Sequence, residues 1–272
     1  VITSVSGRNL AYGTSRVSRL TGRADVDLAP GGRLDVNLRG DGARIGAEPV
    51  TRALLSVRGS QARHRITADV TAPAANARLA ASGRITGRRW SGTLATLAVE
   101  SPRAGDWHLD EPAAITAGAA SATVGRLCLS SASYGETRLC ASGDWRGPAG
   151  WHAASTVEHF PIALIDSLVP AARLGEGRSM TGTIEGTLDA TSMGGRLTGT
   201  VHATAAGAAL VYREPVDSVP HRIAFDTATV DLRAAGDGLH GTLALHATRP
   251  DSGVAGFLHG AVPATRLDHR PV

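Results

Sequence analysis

The stretch RADVDLAPGGRLDVNLR, residues 23–39, contains the pattern that decides the fold. On each side of its Pro-Gly-Gly centre, apolar residues alternate with charged or polar ones, which is typical of a strand with one buried and one solvated face. The centre predicts a turn, so the two halves should pair as an antiparallel hairpin. The apolar side of this hairpin carries Val26, Leu28, Leu34, Val36 and Leu38.

The same alternation recurs along the chain at spacings of about 10 to 14 residues, with Gly or Pro between the segments. Helical periodicity hardly appears, so the simplest topology is a long antiparallel meander. The chain begins and ends inside strand-like sequence, and we expect residues 1–272 to be one continuous fragment of a longer protein. The inward apolar residues of the later segments are Ile66, Val70, Leu79, Ile85, Leu127, Leu129, Leu139, Ile184, Leu188, Val230, Leu232, Leu243 and Leu245.

Composition indicates what this one-sided sheet encloses. Without covering helices, its apolar face must be hidden in a closed barrel, a two-sheet sandwich, a solenoid or a trough. The chain has 3 Phe, 3 Tyr and 4 Trp, which are too few to fill the middle of a sandwich. We therefore expect a mainly β protein whose inward residues line an apolar groove, and an ordinary closed core is the alternative interpretation of the same residues.

The segment FPIALIDSLVP, residues 160–170, predicts a single short helix at about residues 161–169. Pro161 suits the first helical position, and Pro170 ends the helix. A helix of about two turns is unstable alone, so it must dock on an apolar surface. We expect it to lie on the groove as a structural plug, or alternatively as a gate for the groove's contents. Its apolar residues are Ile162, Leu164, Ile165 and Leu168.

The 2 cysteines, Cys128 and Cys140, lie in strand-like segments on either side of a turn at residues 133–135. A three-residue hairpin loop that ends in Gly would place them directly opposite each other. We expect a cross-strand disulfide on the outer face, and hence an oxidising compartment. Reduced thiols and a metal site are the alternatives, and the lack of a CxxC motif or a nearby His pair argues against the metal.

Several functional classes are disfavoured by the sequence. All 28 basic residues are Arg, and they alternate with Asp, Thr and Ser instead of forming a patch with aromatic residues, which argues against nucleic-acid binding. The absence of Lys excludes a Walker P-loop and a Schiff-base enzyme. Three strand histidines, His202, His240 and His246, fall on polar positions, and no catalytic or metal-ligating constellation emerges. We therefore expect no enzyme and no cofactor.

Five motifs follow one another between about residues 80 and 200. They are RRWSGTLATL (88–97), GDWHLDEPAAI (105–115), VGRLCLSSASYGETRLCASGDW (124–145), GWHAASTVEHFPIALIDSLVP (150–170) and MTGTIEGTLDA (180–190). In this combination, a WSG strand, a W-x-L-x-x-P strand, a paired-cysteine hairpin and a short Leu-rich helix precede a Gly-rich strand. The order resembles the TamB family, the AsmA-like translocation and assembly proteins of the Gram-negative periplasm.

The resemblance implies an inner-membrane-anchored protein whose β-rich body crosses the periplasm toward an outer-membrane β-barrel partner of the TamA type. Such bodies look like a U-shaped sheet, called a β-taco, with an apolar groove suited to phospholipid acyl chains. The implied function is a bridge segment that conducts phospholipids between the membranes, supports outer-membrane protein assembly, or does both. The alternative is a chaperone-like scaffold that binds outer-membrane proteins by β-augmentation without conducting lipid.

Overall fold

The computed structural model describes residues 2–13, 15–27, 29, 31–46, 48–168, 178–212, 221–236, 238–248 and 255–266. Leu28, one of the predicted lining residues, lies outside these ranges, and so does the side chain of Leu168 in the predicted plug.

Strands make up nearly all of the described chain, and every described strand pairing is antiparallel, which confirms the predicted fold class of a mainly β meander with one short helix. The described helical elements are one α-helix, α1 (Ile162–Leu168), and a 3-10 turn at Gly147–Ala149. The strands are β1 (Ile2–Tyr12), β2 (Ser15–Val26), β3 (Arg33–Ile45), β4 (Glu48–Ser60), β5 (His64–Thr71), β6 (Asn76–Thr86), β7 (Arg89–Ser101), β8 (Gly105–Leu109), β9 (Ala113–Gly118), β10 (Ala122–Ser131), β11 (Arg138–Trp145), β12 (Trp151–Pro161), β13 (Arg178–Met193), β14 (Arg196–Tyr212), β15 (His221–Gly236), β16 (Gly238–Thr248) and β17 (Ala255–Arg266).

The chain divides into two compact units, Val1–Ser133 and Tyr134–Val272. In the first unit, each strand from β1 to β7 pairs with the next. Both β7 and β10 then pair with β8 and also with β9, so β8 and β9 occupy the place of one interrupted strand. The interruption includes Pro112, which has no amide hydrogen to give to a ladder. The amide of Asp110 bridges the gap by donating to the carbonyl of Cys128 at 3.0 Å.

In the second unit, each strand from β11 to β17 pairs with the next. Each unit is therefore a meander of sequence neighbours, as the turn spacing predicts. The prediction that residues 1–272 form one continuous groove stays a prediction.

A β-bulge in β12 precedes helix α1. The pairing of β12 with β13 shifts between Val157 and Phe160, and His159 within this bulge has a φ of 50°, a left-handed value that is rare outside Gly. The carbonyl of His159 accepts a hydrogen bond from the hydroxyl of the fully buried Thr137 at 2.9 Å. This contact holds the bulge, and α1 begins three residues further on, at Ile162, one residue later than predicted.

The buried core of the first unit lies on the apolar face of β6, β7 and β9. Ala81, Leu94 and Ala113 are directly opposite one another in register and are 7%, 3% and 1% exposed. Two of the three are Ala, as expected of an interior built from small residues. The partly buried side chains that pack against them belong to Ile66, Leu79, Trp90, Leu97, Leu109, Ile115 and Leu127.

Candidate functional site

The predicted lining residues of the first unit share one face of its sheet. Directly opposite residues in an antiparallel ladder point to the same side, so the register traces rows of side chains across the strands. One row runs through Ala24, Val36, Val57, Ile66, Ala81, Leu94 and Ala113. The next row runs through Gly22, Leu38, Leu55, Ala68, Leu79 and Leu97. Val26 opposite Leu34, Val70 opposite Ala77, Ile85 opposite Trp90 and Leu129 opposite Leu109 belong to the same face.

The lining residues of the second unit share one face in the same way. One row runs through Leu139, Val157, Gly186, Ala203, Val230 and Leu243. A second contains Leu188, Val201 and Leu232, and a third contains Ile184, Ala205, Ala228 and Leu245. The register therefore places an apolar stripe several residues wide across the strands of this unit.

These two faces are neither fully buried nor fully open. Among the predicted lining residues that the structure describes, Leu34 is buried at 9% exposure, Ile85 is the most open at 36%, and the others are half-buried. Leu, Val and Ile in a closed core are usually buried almost completely. Side chains in this intermediate state still offer apolar surface to solvent.

Several lining residues are missing from the sequence-based set, and β7 shows why. The pairing of β7 with β6 shifts after Ala95, so Leu94 and Leu97 lie on the same face although they are three residues apart. A strict period of two places such residues on opposite faces. In β4, the adjacent Leu54 and Leu55 hide the period, and the register assigns Leu55 to the apolar face. Gly92, between Trp90 and Leu94, is the sequence signal for this part of β7, because a Gly inside a strand often marks a place where another group packs closely against the backbone.

A hydrogen-bonded pair of rings crosses the apolar face of the first unit. The indole Nε1 of Trp90 donates to Nε2 of His64 at 2.8 Å, and His64 is only 4% exposed. Because Nε2 is the acceptor, Nδ1 carries the proton and donates to the carbonyl of Ser60 at 3.0 Å. The indole lies over two glycines, since a Cβ on Gly83 or Gly92 would come within 2.7 or 2.6 Å of its ring carbons. This pair is a satisfied polar contact inside an otherwise apolar surface.

The disulfide predicted from the two cysteines is confirmed. Neither cysteine is free, and Cys128 and Cys140 are both disulfide-bonded, so they are bonded to each other. Cys140 follows Leu139 of the apolar row and therefore points to the opposite, outer face, as predicted, but the two cysteines are buried there, at 6% and 5% exposure. A disulfide has no strong hydrogen-bonding group, so its burial needs no polar partner. The predicted three-residue loop was wrong, because β10 ends at Ser131 and β11 begins at Arg138, with residues 132–137 between them.

We expect the double substitution Cys128→Ser with Cys140→Ser to lower the free energy of unfolding by about 3 kcal/mol, because the loop of about a dozen residues is no longer closed in the unfolded chain. Urea unfolding monitored by circular dichroism measures this loss. Thiol titration of the denatured, unreduced protein should find no free thiol, and two thiols in protein that was never reduced would contradict the bridge.

Within the described ranges, the polar faces carry ion pairs that are not arranged as a catalytic site. In the second unit, His202 lies 2.6 Å from Asp231, and His152 lies 3.0 Å from Asp189 and 3.9 Å from Asp144. No group of three or more His, Cys, Asp or Glu residues in the described ranges is arranged to hold a metal ion. These contacts are solvated surface pairs, which contribute little to stability.

One ion pair of the first unit lies on β3. The hydrogen bond from Arg39, with Nε 2.8 Å from the Asp41 carboxylate, holds the pKa of Asp41 below its usual value, and the same bond raises the pKa of Arg39. Both groups are exposed to solvent, so the pair keeps the polar face charged without forming a reactive site.

Helix α1 packs against β13 and β12 through part of its surface. Ile162 and Leu164 are 3% and 2% exposed, as predicted for a docked helix. The predicted burial of Ile165 was wrong, because this side chain is 39% exposed. The helix contacts strands on one side while its apolar residues surround much of its circumference, so one of them must face outward.

The described residues contain no helix that combines the length and the apolar character needed to cross a bilayer. No curated protein and no solved structure matches the chain. The family model for the N-terminal domain of TamB matches residues 1–252 of the 272. This match includes all five motifs on which the resemblance rests, and the chain therefore belongs to the TamB family.

Proposed function

We propose that this chain is a segment of a periplasm-spanning bridge that conducts phospholipids between the inner and outer membranes. Membership in the TamB family connects the chain with translocation and assembly at the outer membrane. The observation that supports the lipid part of the proposal is the apolar face of each unit, which continues in register across successive strands. An acyl chain can lie across these strands without meeting a charged side chain in the two central rows.

The energetics favour movement along such a face. Burying an acyl chain contributes about 0.8 kcal/mol per methylene group, and the lining of Leu, Val, Ile, Ala and Gly makes no directional contact with it. Neighbouring positions along the face therefore have similar free energies.

In this proposal, the chain performs no chemical reaction and needs no cofactor. An anchor in the inner membrane and an outer-membrane β-barrel partner of the TamA type complete the bridge. Support of outer-membrane protein assembly follows if the conducted phospholipid maintains the membrane into which those proteins insert.

The test compares two double variants on the same pair of strands. Leu38→Asp with Leu55→Asp places two carboxylates on the apolar face, where Leu38 and Leu55 are opposite each other. Asn37→Asp with Ser56→Asp places the same charges one residue away on the polar face. We expect the first variant to retain about tenfold less phospholipid than the second after purification, because a carboxylate on an apolar surface disfavours the acyl chain.

Lipid extraction with mass spectrometry gives the readout, and circular dichroism confirms that both variants fold. Equal lipid content in the two variants, or no lipid in the unchanged protein, would contradict the conduit. If the unchanged protein carries no lipid but binds peptides from outer-membrane proteins, the β-augmentation scaffold is the better description.

A further inference from the structure

We infer that the first unit holds a binding site for a phosphate monoester on the outer face of its sheet, the face opposite to the apolar lining. The site comprises Arg58, Arg63, Arg65 and Ser82, and we call it the arginine pocket. These residues are among those that line a cavity of about 410 Å³. A cavity of this volume is within the range of ligand pockets in proteins.

The strand register places three of the four residues in one row. Arg58 of β4 is directly opposite Arg65 of β5, and Arg65 is directly opposite Ser82 of β6. This row adjoins the apolar row that contains Val57 and Ile66. Because neighbouring residues of a strand point to opposite faces of the sheet, the row with the two arginines belongs to the outer face.

The turn between β4 and β5 contributes the third arginine. The amide of Ser60 donates to the carbonyl of Arg63 at 2.8 Å, and the amide of Arg63 donates to the carbonyl of Ser60 at 3.1 Å. The hydroxyl of Ser60 accepts from the same amide at 3.2 Å. A turn that is closed in this way loses little conformational entropy when a ligand binds, so Arg63 is held in place beside the cavity before binding.

Small residues leave room beside the arginines. Ala80 and Ala95 line the cavity together with them. Ala95 is the bulged residue at which the pairing of β7 with β6 shifts. Bulges are common beside binding sites, because they change the direction of side chains within a strand. The cavity therefore has a local structural cause in the sheet.

The positive charge of the arginine pocket is not neutralised by the protein. All three guanidinium groups belong to exposed residues, and none has an ion-pair partner in the part of the chain that the structure describes. Asp35 is directly opposite Arg58 on β3. Its carboxylate instead accepts hydrogen bonds from Arg33 at 3.2 Å and from Asn37 at 2.9 Å. Among the described residues, no Asp or Glu lines the cavity.

This arrangement is unfavourable for the protein alone. Like charges that are directly opposite each other in a ladder are destabilising, and Arg58 and Arg65 form such a pair. An anion bound between the two guanidinium groups would remove this repulsion. The pair therefore favours a negatively charged ligand over a neutral one.

The number of donors favours a phosphate monoester over a carboxylate. A phosphate monoester has about −1.5 to −2 charges at pH 7 and three acceptor oxygens, so it can accept from more than one guanidinium fork. A carboxylate has a single charge and two oxygens, which one arginine satisfies. Ser82, an exposed residue, can donate a further hydrogen bond through its hydroxyl.

The lining also disfavours a nucleic acid as the source of the phosphate. Single-stranded nucleic acids bind to basic surfaces that include aromatic rings on which the bases stack. Among the described residues that line the cavity, the one ring is that of His64, which is 4% exposed and accepts from Trp90. A lipid headgroup or a soluble phosphorylated compound needs no such platform.

The experiment titrates the 272-residue chain with inorganic phosphate and with glycerol 3-phosphate, at constant ionic strength, in a calorimeter. We expect Arg58→Gln with Arg65→Gln to weaken binding about tenfold or more, because two charge-assisted contacts are lost. Arg8→Gln with Arg19→Gln is the matched control, since it removes a second directly opposite arginine pair without changing a residue that lines the cavity. The control should bind within about twofold of the unchanged protein, because distant exposed charges are screened by salt.

A further arm uses vesicles of phosphatidylcholine with and without phosphatidic acid, whose headgroup is a phosphate monoester. Binding to the phosphatidic acid vesicles that requires Arg58 and Arg65 supports the pocket and assigns the phosphate to a lipid. Binding of the soluble phosphates without vesicle binding supports the pocket and assigns it to a soluble ligand. Circular dichroism confirms that both double variants fold.

Two results would overturn the inference. One is that the unchanged protein binds neither the soluble phosphates nor the phosphatidic acid vesicles. The other is an equal loss of binding in the two double variants, because the attraction would then come from the overall charge of the unit and not from a site.

The arginine pocket and the lipid conduit fail separately, because they lie on opposite faces of the sheet. The variant with Leu38→Asp and Leu55→Asp should lose retained phospholipid but bind phosphate as the unchanged protein does. The variant with Arg58→Gln and Arg65→Gln should show the reverse.

Discussion

Gly92→Ala is expected to destabilise the first unit by about 3–5 kcal/mol, the range of a large aromatic side chain lost from a core. A Cβ at residue 92 would lie 2.6 Å from a ring carbon of Trp90 and would overlap the carbonyl oxygen of Ser82. The indole must therefore leave its place over the glycines. The indole then no longer donates to Nε2 of His64. A buried acceptor without a partner costs about 1–3 kcal/mol, and this cost is part of the expected total.

Gly40→Ala is the matched control for this prediction. Gly40 also lies inside a strand, β3, but a Cβ there would meet only a methyl group of Val17 at an ordinary 3.7 Å. Urea unfolding should show a loss of about 1 kcal/mol or less for the control. A Gly92→Ala protein as stable as the Gly40→Ala protein would show that the Trp90–His64 contact is not a structural element. Trp90→Phe, which keeps a ring but removes the donor, separates the hydrogen bond from the packing.

The strands and their apolar faces could be predicted from the sequence because a period of two is a local property. The alternation in residues 23–39 predicts that Val36 and Leu38 share one apolar face. The structure places both on that face, opposite Val57 and Leu55 of the next strand. The prediction becomes incomplete at bulges, since one extra residue such as Ala95 reverses the assignment of every later residue in its strand. A bulge depends on how a strand pairs with its neighbour, and the alternation of residues within one strand carries no information about that pairing.

The contact between Trp90 and His64 could not be predicted either, because it too depends on the pairing of several strands. Its two residues are on β7 and β5, with β6 between them, and only the combined register of three strands brings them to one place. The two glycines beneath the indole are visible in the sequence, but they are also compatible with turns or plain strand positions. The disulfide was predictable because both cysteines lie within one short segment, whereas their burial depends on packing that the alternation does not describe.

Helix α1 shows the same limit at a smaller scale. The two prolines bound it in the sequence, and the structure confirms a helix that begins at Ile162. The sequence offers apolar residues around much of the helix, and the strands that it contacts decide which of them are buried. Ile165 is therefore exposed although its hydrophobicity equals that of Ile162.

The double substitution Ile162→Asp with Leu164→Asp is expected to cost about 4–6 kcal/mol in the second unit, because each side chain contributes about 1.5–3 kcal/mol when fully buried and a buried carboxylate adds its own penalty. The two residues are 3% and 2% exposed. Ala163→Asp with Ile165→Asp is the matched control, since it adds the same two charges to the exposed positions of the same helix. This control should lose about 1 kcal/mol or less.

Thermal and urea unfolding of both variants, followed by circular dichroism, distinguishes the roles proposed for the helix. A large loss in the first variant and a small one in the control identify α1 as a structural plug, because the free energy of docking is then part of the stability of the unit. Equal, small losses in both variants remove the helix from the core. If stability is unchanged but the first variant retains a different amount of phospholipid, α1 acts as a gate that opens at little cost, since only a weakly docked helix can be displaced by an acyl chain that contributes about 0.8 kcal/mol per methylene group.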